Sequence, residues 1–327
     1  MTSFMKIEQN AFPLKVPFNI TGYTFTTTDA VQVTLHKDGQ IGRGEAIGMY
    51  YKDETADSIV AQLEAVAAEI TSGLTPEIVQ QLLPSGGARN ALDCALWDLT
   101  CKLAGRTIWD ILDIEPKELT TVATLGIESP EVMAQGAAAF GEYPHLKIKL
   151  SGDDPIARLE AIRAARPDAT LIIDVNQGWN FKELQEYTPS CKKLGVTMIE
   201  QPLPRGDDHE LEGYKSSVPL GADESCIDLS EYAVAASRYD VINIKLDKCG
   251  GLTEGLELVR SAQRDGKGLM VGNMTGTSLS MAPAYVIGQY CQFVDIDGPI
   301  LLKRDVENGL EYKSGGLVGA PTRALWG

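Results

Sequence analysis

Between residues 118 and 299, short apolar runs alternate regularly with segments of helical periodicity. The apolar runs are Thr121–Ile127, Leu146–Leu150, Thr170–Asn176, Met198–Pro202, Leu220–Glu224, Val241–Lys248, Leu269–Met274 and Phe293–Asp297. Runs of this length predict buried strands, and intervening segments such as Pro155–Ala165 and Leu252–Asp265 predict helices. Eight such units in about 180 residues favour an α/β fold, a (β/α)7β-type TIM barrel. A doubly wound sheet is the alternative, but the sequence has no glycine-rich phosphate turn after a strand.

The first third of the chain has a different pattern, typical of a small α+β unit. Alternating or β-branched positions, and an Asp-Gly turn within 37–40, predict four strands at Met5–Leu14, Ile20–Thr28, Ala30–His36 and Ile41–Gly48. Helical spacing follows in Thr55–Thr71, Pro76–Leu83 and Ala88–Leu103. We therefore expect an N-terminal domain over residues 1–117, a barrel over 118–299, and a tail over 300–327 that packs back on the N-terminal domain.

Charge and cysteine usage narrow the function classes. The chain has 29 Lys and Arg against 45 Asp and Glu, a formal net charge of -16. A field of this sign repels nucleic acids and anionic membrane surfaces. The stretch from Met1 to Pro17 has no basic start followed by an apolar core, so we expect no signal peptide. The sequence also has no run of 18 apolar residues and no CxxC pair among its six cysteines. These features predict a cytoplasmic protein with reduced thiols.

Acidic residues stand at the ends of three consecutive predicted strands. Asp174, Glu200 and Asp223 each follow an apolar run. A single acid at such a position usually caps a helix or faces solvent. In a barrel, however, the carboxyl ends of the strands converge on one mouth. Three carboxylates there, without His or Cys, are the oxygen ligands that Mg²⁺ prefers.

Lysines lie on the two strands that flank these acids. Lys147 and Lys149 occupy one face of the second strand, and Lys245 ends the sixth. A base on each side of one carbon can remove a proton from one face and return a proton on the other. This chemistry needs a neutral lysine, whose pKa is ordinarily about 10.4. A nearby metal ion and a second ammonium group both lower that pKa, because each disfavours the charged form.

The motifs that carry these residues resemble those of the enolase superfamily, within it the muconate-lactonizing subgroup. They read LKIKL, DVNQGW, IEQPL, GADES and NIKLDKCGG in the barrel, and GRGEA and ARNALDCALWDL in the first domain. The resemblance implies a capping domain completed by the C-terminal tail. It also implies Mg²⁺ on Asp174, Glu200 and Asp223, with Lys149 and Lys245 as the acid/base pair and Lys147 as catalytic support.

The resemblance assigns supporting roles as well. It implies that Asn176 and Glu224 orient the metal ligands and that Asp247 and Lys248 support the sixth strand. The eighth strand carries Asp295 and Asp297, an Asp-x-Asp that resembles the dipeptide epimerases, including those that act on Ala-Glu. In that family the two acids hold the α-ammonium group of a dipeptide. The implied reaction is Mg²⁺-dependent 1,1-proton transfer at the α-carbon of the C-terminal residue, through an enediolate.

Specificity is predicted from one stretch of the capping domain. Family members that act on Ala-Glu carry an Arg in one loop of the capping domain. The corresponding loop in this sequence has no Arg and consists of Tyr23, Thr24, Phe25 and Thr26. A side-chain carboxylate would then lack a bidentate partner. We therefore expect Ala-Glu to be a poor substrate, and the second residue to be apolar, aromatic or cationic.

The sequence alone leaves other functions open. The same lysines would serve an N-acylamino acid racemase, an o-succinylbenzoate synthase or a muconate cycloisomerase. A non-catalytic barrel that binds a partner is a more remote alternative. Members of the family are often homo-oligomers, and no feature of the sequence identifies an interface.

Overall fold

The computed structural model describes residues 4–72 and 74–327, so residues 1–3 and 73 of the predicted first domain lie outside it. The chain begins with an antiparallel sheet of three strands, in the order β1-β2-β3. These strands are β1 (Phe4–Ile20), β2 (Tyr23–Lys37) and β3 (Gln40–Ile47). The first two form one long hairpin that reaches over the barrel mouth.

The prediction of separate strands at Met5–Leu14, Ile20–Thr28 and Ala30–His36 is wrong. The chain reverses at a two-residue turn, where Ile20 pairs with Tyr23 and Gly22 has a φ of 79°. Glycine adopts this left-handed conformation without steric cost, which allows the tight turn. The segment between Pro13 and Phe18 is a register shift rather than a break, and pairing continues through Asp29.

Four helices follow the sheet, and one of them packs directly on β3. The helices are α1 (Ala56–Ala65), α2 (Pro76–Leu82), α3 (Gly87–Ala104) and α4 (Ile108–Leu112). Glycine permits the close approach of α3 to β3, since a Cβ atom on Gly44 would lie 2.1 Å from the carbonyl oxygen of Ala91. Val31, Val33 and Leu92 are fully buried in the resulting core.

Eight parallel strands form a curled sheet in chain order, which confirms the predicted barrel class. A backbone hydrogen bond of 3.0 Å from Val122 N to Val294 O joins its first strand to its last. The eight are β5 (Ala123–Leu125), β6 (His145–Lys149), β7 (Thr170–Asp174), β8 (Val196–Glu200), β9 (Leu220–Ala222), β10 (Val241–Ile244), β11 (Gly268–Val271) and β12 (Phe293–Val294). A separate pair, β4 (Leu119–Thr120) and β13 (Leu317–Val318), is antiparallel.

Helices follow most of these strands along the chain. They are α5 (Pro130–Ala139), α6 (Pro155–Ala165), α7 (Phe181–Lys193), α8 (Leu229–Arg238), α9 (Leu246–Cys249), α10 (Leu252–Arg264), α11 (Ser278–Gly288) and α12 (Gly298–Leu301). Short 3₁₀ turns cover Tyr50–Lys52, Ala67–Ser72, His209–Leu211 and Ser314–Gly316. The connection from β8 to β9 carries only the third of these turns.

Six of the eight predicted barrel strands are shorter in the structure, and the differences in the sixth and the eighth strand affect the barrel mouth. The sixth strand ends at Ile244, because the short helix α9 begins two residues later with Lys245 as its N-cap. A hydrogen bond of 3.1 Å from Cys249 N to Lys245 O closes this helix. The eighth strand ends at Val294. The segment that follows contacts the chain between β4 and β5, where Ile296 N donates to Thr121 Oγ1 at 3.0 Å.

The segment after residue 299 contacts both the barrel and the first domain. Lys303 N donates to Pro13 O at 2.9 Å, and the Arg43 guanidinium donates to the carbonyl oxygen of Leu325 at 2.6 Å. The indole of Trp326 donates to Cys94 O on α3 at 2.9 Å. In the described part of the chain, no helix combines the length and the apolar character needed to cross a membrane.

Candidate active site

Three carboxylates meet at the carboxyl ends of β7, β8 and β9. Asp174 ends β7, Glu200 ends β8, and Asp223 follows β9 directly. Asp174 pairs with Glu200 in the strand register, and Glu200 pairs with Gly221, so the register brings the acids side by side. One oxygen from each lies within 4.8 Å of the others, and at most 1% of each residue is exposed.

The chemistry of this cluster fits a small divalent cation. All three groups offer hard oxygen donors, which is the ligand type of Mg²⁺. Glu200 Oε2 is buried without a hydrogen bond, although the Lys147 ammonium group lies 2.9 Å away. Asn243 Nδ2 donates to the other oxygen of Glu200 at 2.7 Å, and Lys248 Nζ lies 2.8 Å from Asp223 Oδ1. These donors fix the orientation of the carboxylates.

Lysine side chains flank the acids on both sides. Lys149 Nζ, on β6, lies 2.6 Å from Asp174 Oδ2. Lys245 Nζ, after β10, lies 2.6 Å from Asp223 Oδ2. Both side chains line one cavity, so they face the same space from the two strands that border β7–β9. The structure thus brings the two predicted acid/base residues to either side of the acidic cluster.

Lys147 occupies the centre of the ionic network. Its Nζ lies 2.8 Å from Asp295 Oδ2, 2.9 Å from Glu200 Oε2 and 3.1 Å from Asp174 Oδ2. The residue is 1% exposed. It therefore links the acids of the strand-end cluster to the Asp-x-Asp of the eighth strand.

The carboxylates around Lys147 and Lys245 raise the pKa values of these two lysines. Burial lowers the pKa of Lys147, but the charges of Asp295, Glu200 and Asp174 together raise it well above its usual range. The pKa of Lys245 is also raised, because attraction to Asp223 and other carboxylates outweighs burial and the repulsion of Lys147. In this network the attraction of the carboxylates exceeds the repulsion between the two ammonium groups.

The pKa values of the buried carboxyl groups in the site shift in different directions. Burial raises the pKa of Asp174, but Lys149 and Lys147 outweigh it and hold that pKa at about 2. Burial and then the charge of Asp174 raise the pKa of Glu200 to about 7. Burial and then Asp223 raise that of Glu224 to about 8.

Asp295 and Asp297 lie beside the lysines and are nearly buried. Asn273 Nδ2 donates to Asp295 Oδ1 at 2.9 Å, while Lys147 binds its other oxygen. Thr124 N donates to Asp297 Oδ2 at 2.9 Å. Burial, followed by the charge of Asp295, raises the pKa of Asp297 to about 7. The two acids line a small cavity together with the three lysines of the site.

The predicted supporting residues fall into two groups. Asn176 lies between Lys149 and Glu224, at 3.1 Å from Lys149 Nζ and 3.3 Å from Glu224 Oε1. Lys248 Nζ donates a hydrogen bond to Asp223 Oδ1, so this residue supports a carboxylate of the cluster. Asp247 instead faces the first domain, where Asp247 Oδ1 accepts hydrogen bonds of 2.9 Å from Ile47 N and Asn90 Nδ2. Because α9 turns the chain after Lys245, Asp247 joins the two domains rather than supporting the sixth strand.

The predicted specificity stretch lies on β2, at the tip of the long hairpin. Phe25 lines the same cavity as Lys149 and Lys245. Tyr23 and Thr24 line a separate surface groove, and Thr26 is exposed on the same strand. The tip is held to the barrel by Thr21, whose Oγ1 lies 3.1 Å from both Leu150 O and Val175 O.

Sequence reasoning missed three residues of the site. Asn243 stands two positions before Lys245, so strand alternation could have placed both side chains on one face. Asn273 lies in the GNMTGTS segment after β11, at a strand end like the predicted acids. Tyr50 lines the cavity from the turn after β3, and no local pattern marks it.

Family models match most of the chain. Residues 3–113 match the mandelate racemase / muconate lactonizing enzyme N-terminal domain, and residues 131–321 match the enolase C-terminal domain-like family. The L-Ala-D/L-Glu epimerase of Escherichia coli (strain K12) is 39% identical over 316 residues, which cover 96% of this chain and 98% of that protein.

Two solved structures are similar over nearly the whole chain. The first is an enolase family member from Agrobacterium tumefaciens with homology to dipeptide epimerases, solved with sodium and L-Ala-L-Glu bound. Its TM-score is 0.96 at 41% identity, and the match covers 99% of this chain and 100% of that chain. A dipeptide epimerase from Enterococcus faecalis V583, complexed with Mg and L-Leu-L-Tyr, has a TM-score of 0.92 and 28% identity, covering 98% and 97%.

Proposed function

The chain belongs to the mandelate racemase/muconate lactonizing enzyme family of the enolase superfamily, and on that premise we propose that it epimerises dipeptides. It is an isomerase that uses Mg²⁺. The proposed reaction moves one proton at the α-carbon of the C-terminal residue and inverts that centre. The observation that carries the proposal is the placement of Lys149 and Lys245 on either side of Asp174, Glu200 and Asp223.

We propose that Asp174, Glu200 and Asp223 hold the metal ion. When bound, Mg²⁺ supplies positive charge that stabilises an enediolate and lowers the pKa of neighbouring lysines. Asn243 and Lys248 orient the ligands through their contacts with Glu200 and Asp223. Such supporting contacts fix the direction of a carboxylate and raise metal affinity.

The two lysines exchange roles according to the configuration of the substrate. The neutral amine on one side removes the α-proton from one face of the carbon, and the ammonium group on the other side delivers a proton to the opposite face. Lys149 lies on β6 and Lys245 follows β10, so the two groups approach the cavity from separate strands. Lys147 stays paired with carboxylates and maintains the charge of the site.

A dipeptide is favoured over the other substrates of the family by the Asp-x-Asp of the eighth strand. Asp295 and Asp297 are 4% and 3% exposed and lie beside the lysines. Two buried carboxylates form a compact site for an ammonium group, which a dipeptide carries and an N-acylamino acid lacks. Replacing both by Asn is therefore expected to abolish dipeptide epimerisation and to spare racemisation of N-acylamino acids.

Deuterium uptake in D₂O tests the proposed reaction directly. With Mg²⁺ and a mixed library of L,L-dipeptides, mass spectrometry should show a gain of about one mass unit in a subset of the library. Lys149→Ala and Lys245→Ala should each abolish inversion, while each variant retains exchange for only one configuration of the α-carbon. Lys182→Ala, at an exposed position, is the matched control.

Absence of exchange in every dipeptide, in protein that binds Mg²⁺, would contradict the proposal and favour N-acylamino acids or cycloisomerase substrates. The predicted cytoplasmic location and homo-oligomeric assembly remain predictions. All six cysteines are free.

A further inference from the structure

The cavity that contains the two lysines extends well beyond them. It has a volume of about 390 Å³ and lies between the N-terminal hairpin and the barrel mouth. Lys149 and Lys245 border it on the barrel side. Its remaining wall is rich in apolar and aromatic side chains, among them Phe18, Ile20, Phe25, Ile47, Tyr50 and Met274.

Two rings of this wall hold each other in place. The centroids of Phe25 and Tyr50 are 5.3 Å apart, with an interplanar angle of 68°. Tyr51 packs edge-on against Tyr50 at 5.1 Å. Edge-to-face contacts of this kind stabilise a fixed geometry. The wall is therefore formed before a substrate arrives, and it presents flat apolar surface to the cavity.

The charges around the cavity disfavour an anionic side chain. Among the described residues that line it, the only basic ones are Lys149 and Lys245, which the proposed function uses for proton transfer. The acids Asp29, Asp53 and Glu54 also line it. A glutamate side chain would meet weak repulsion from these acids and would find no guanidinium group for bidentate pairing.

A cationic side chain gains less than an aromatic one in this cavity. Glu54 is already engaged, because its oxygens accept hydrogen bonds from Met49 N and Gly87 N at 3.0 and 2.9 Å. Asp29 and Asp53 are exposed, and an exposed ion pair changes an equilibrium by less than about fivefold. Full burial of an aromatic ring changes it by roughly 10- to 100-fold.

We propose that the C-terminal residue of the substrate is aromatic and that its side chain packs against Phe25, Tyr50 and Met274. The inference rests on the proposed dipeptide epimerisation and specifies the substrate class of that site. Phe25 is the specificity-determining residue of this wall, since it is contributed by the hairpin and faces the cavity.

The first test compares kcat/KM of the full chain with Mg²⁺ for L-Ala-L-Phe, L-Ala-L-Glu and L-Ala-L-Lys. We expect L-Ala-L-Phe to exceed both of the others by at least about tenfold. A higher value for L-Ala-L-Glu or L-Ala-L-Lys would overturn the inference while leaving dipeptide epimerisation intact. Absence of activity with every dipeptide would instead overturn both proposals, so the two failures are distinguishable.

The second test changes the wall itself. Phe25→Arg places a guanidinium group at the cavity and removes the ring, so the ratio of kcat/KM for L-Ala-L-Glu to that for L-Ala-L-Phe should rise by at least about tenfold. Phe25→Leu keeps an apolar side chain and should retain the preference for L-Ala-L-Phe at reduced strength. Val16→Arg adds the same charge to the same hairpin at a position that is 69% exposed, and should leave the ratio unchanged.

An unchanged ratio in folded Phe25→Arg protein would overturn the assignment of the wall. An equal change in Val16→Arg would overturn it too, because it would show an effect of hairpin charge rather than of a side chain in the cavity. Phe25→Leu and the wild-type profile keep the test decisive even where the Arg variant fails to fold.

Discussion

At the scale of single residues, the orientation of Glu200 depends on one amide. Asn243 is 1% exposed, and its Nδ2 lies 2.7 Å from Glu200 Oε1. The second oxygen of Glu200 lacks a hydrogen bond. Without Asn243, the carboxylate would keep only its contact with Lys147, so its direction would no longer be fixed.

Asn243→Ala is therefore predicted to weaken metal binding more than folding. The Mg²⁺ concentration that gives half-maximal activity should rise by roughly 10- to 100-fold, because contacts of this kind contribute that much to metal affinity. Titration calorimetry of Mg²⁺ binding measures the same change without substrate. The matched control is Asn10→Ala, which removes a hydrogen bond to Gln32 in the first domain and should leave Mg²⁺ affinity unchanged.

At the scale of elements, a buried carboxylate joins strand β3 to the short helix α9. Asp247 accepts hydrogen bonds from Ile47 N and from Asn90 Nδ2, and it is 2% exposed. Burial is the largest influence on its pKa and raises it from 3.8 to about 7. Ionisation of this group therefore works against the contact between the two elements.

This raised pKa predicts a pH-dependent loss of stability. Below about pH 4 the group is protonated in both folded and unfolded chains, and its contribution is fully present. Between about pH 4 and 7 the unfolded chain loses the proton first, so the free energy of unfolding falls by at most ~4 kcal/mol. Asp247→Asn keeps an accepting oxygen and should flatten this decline.

Denaturant titrations at pH 4, 5.5 and 7 measure the difference between wild type and Asp247→Asn. We expect the variant to gain stability relative to wild type as the pH rises, with a plateau above pH 7. Asp207→Asn serves as control, since that side chain is 78% exposed. A parallel decline in wild type and Asp247→Asn would contradict the assignment.

At the scale of the whole molecule, the two domains are joined by buried polar contacts and by the C-terminal segment. Glu45 of β3 accepts hydrogen bonds from Thr277 N and Oγ1 at 2.8 and 2.7 Å. Arg89 of α3 pairs with Glu254 of α10. The proposed division at residues 117 and 299 therefore separates parts that depend on each other for a complete site, because the hairpin covers a cavity whose lysines belong to the barrel.

Trp326 tests whether residues 300–327 complete the first domain, as we propose. The side chain is fully buried, and its indole donates to Cys94 O. Trp326→Ala should lower the free energy of unfolding by about 3–5 kcal/mol, the usual cost of removing a buried large aromatic side chain. Trp326→Phe keeps most of the packing and should lower the free energy of unfolding by about 1 kcal/mol, because the hydrogen bond is lost and a small void remains. A loss below 1 kcal/mol in Trp326→Ala, measured by denaturant titration, would refute the role of this segment.

The sequence by itself determined the class of fold and the residues that meet at the mouth. Eight apolar runs with helical spacers define the barrel, since periodicity is a local property of the chain. Asp174, Glu200, Asp223, Lys149 and Lys245 could be found because any residue at the carboxyl end of a barrel strand reaches the same mouth. Local periodicity also misplaced strand ends. The short helix α9 follows Ile244 directly, and the segment after Val294 is held by a hydrogen bond to the distant residue Thr121.

Only the tertiary structure decided what each of these groups contacts. Asp247 could not be assigned to the domain junction from sequence, because its partner Ile47 lies 200 positions away. The raised pKa values of Lys147 and Lys245 depend on the number of carboxylates around each ammonium group, which the strand register sets. The aromatic wall likewise forms only when the hairpin folds over the barrel and brings Phe25 against Tyr50. Distances between groups far apart in the chain fix charge and specificity, and no local pattern encodes those distances.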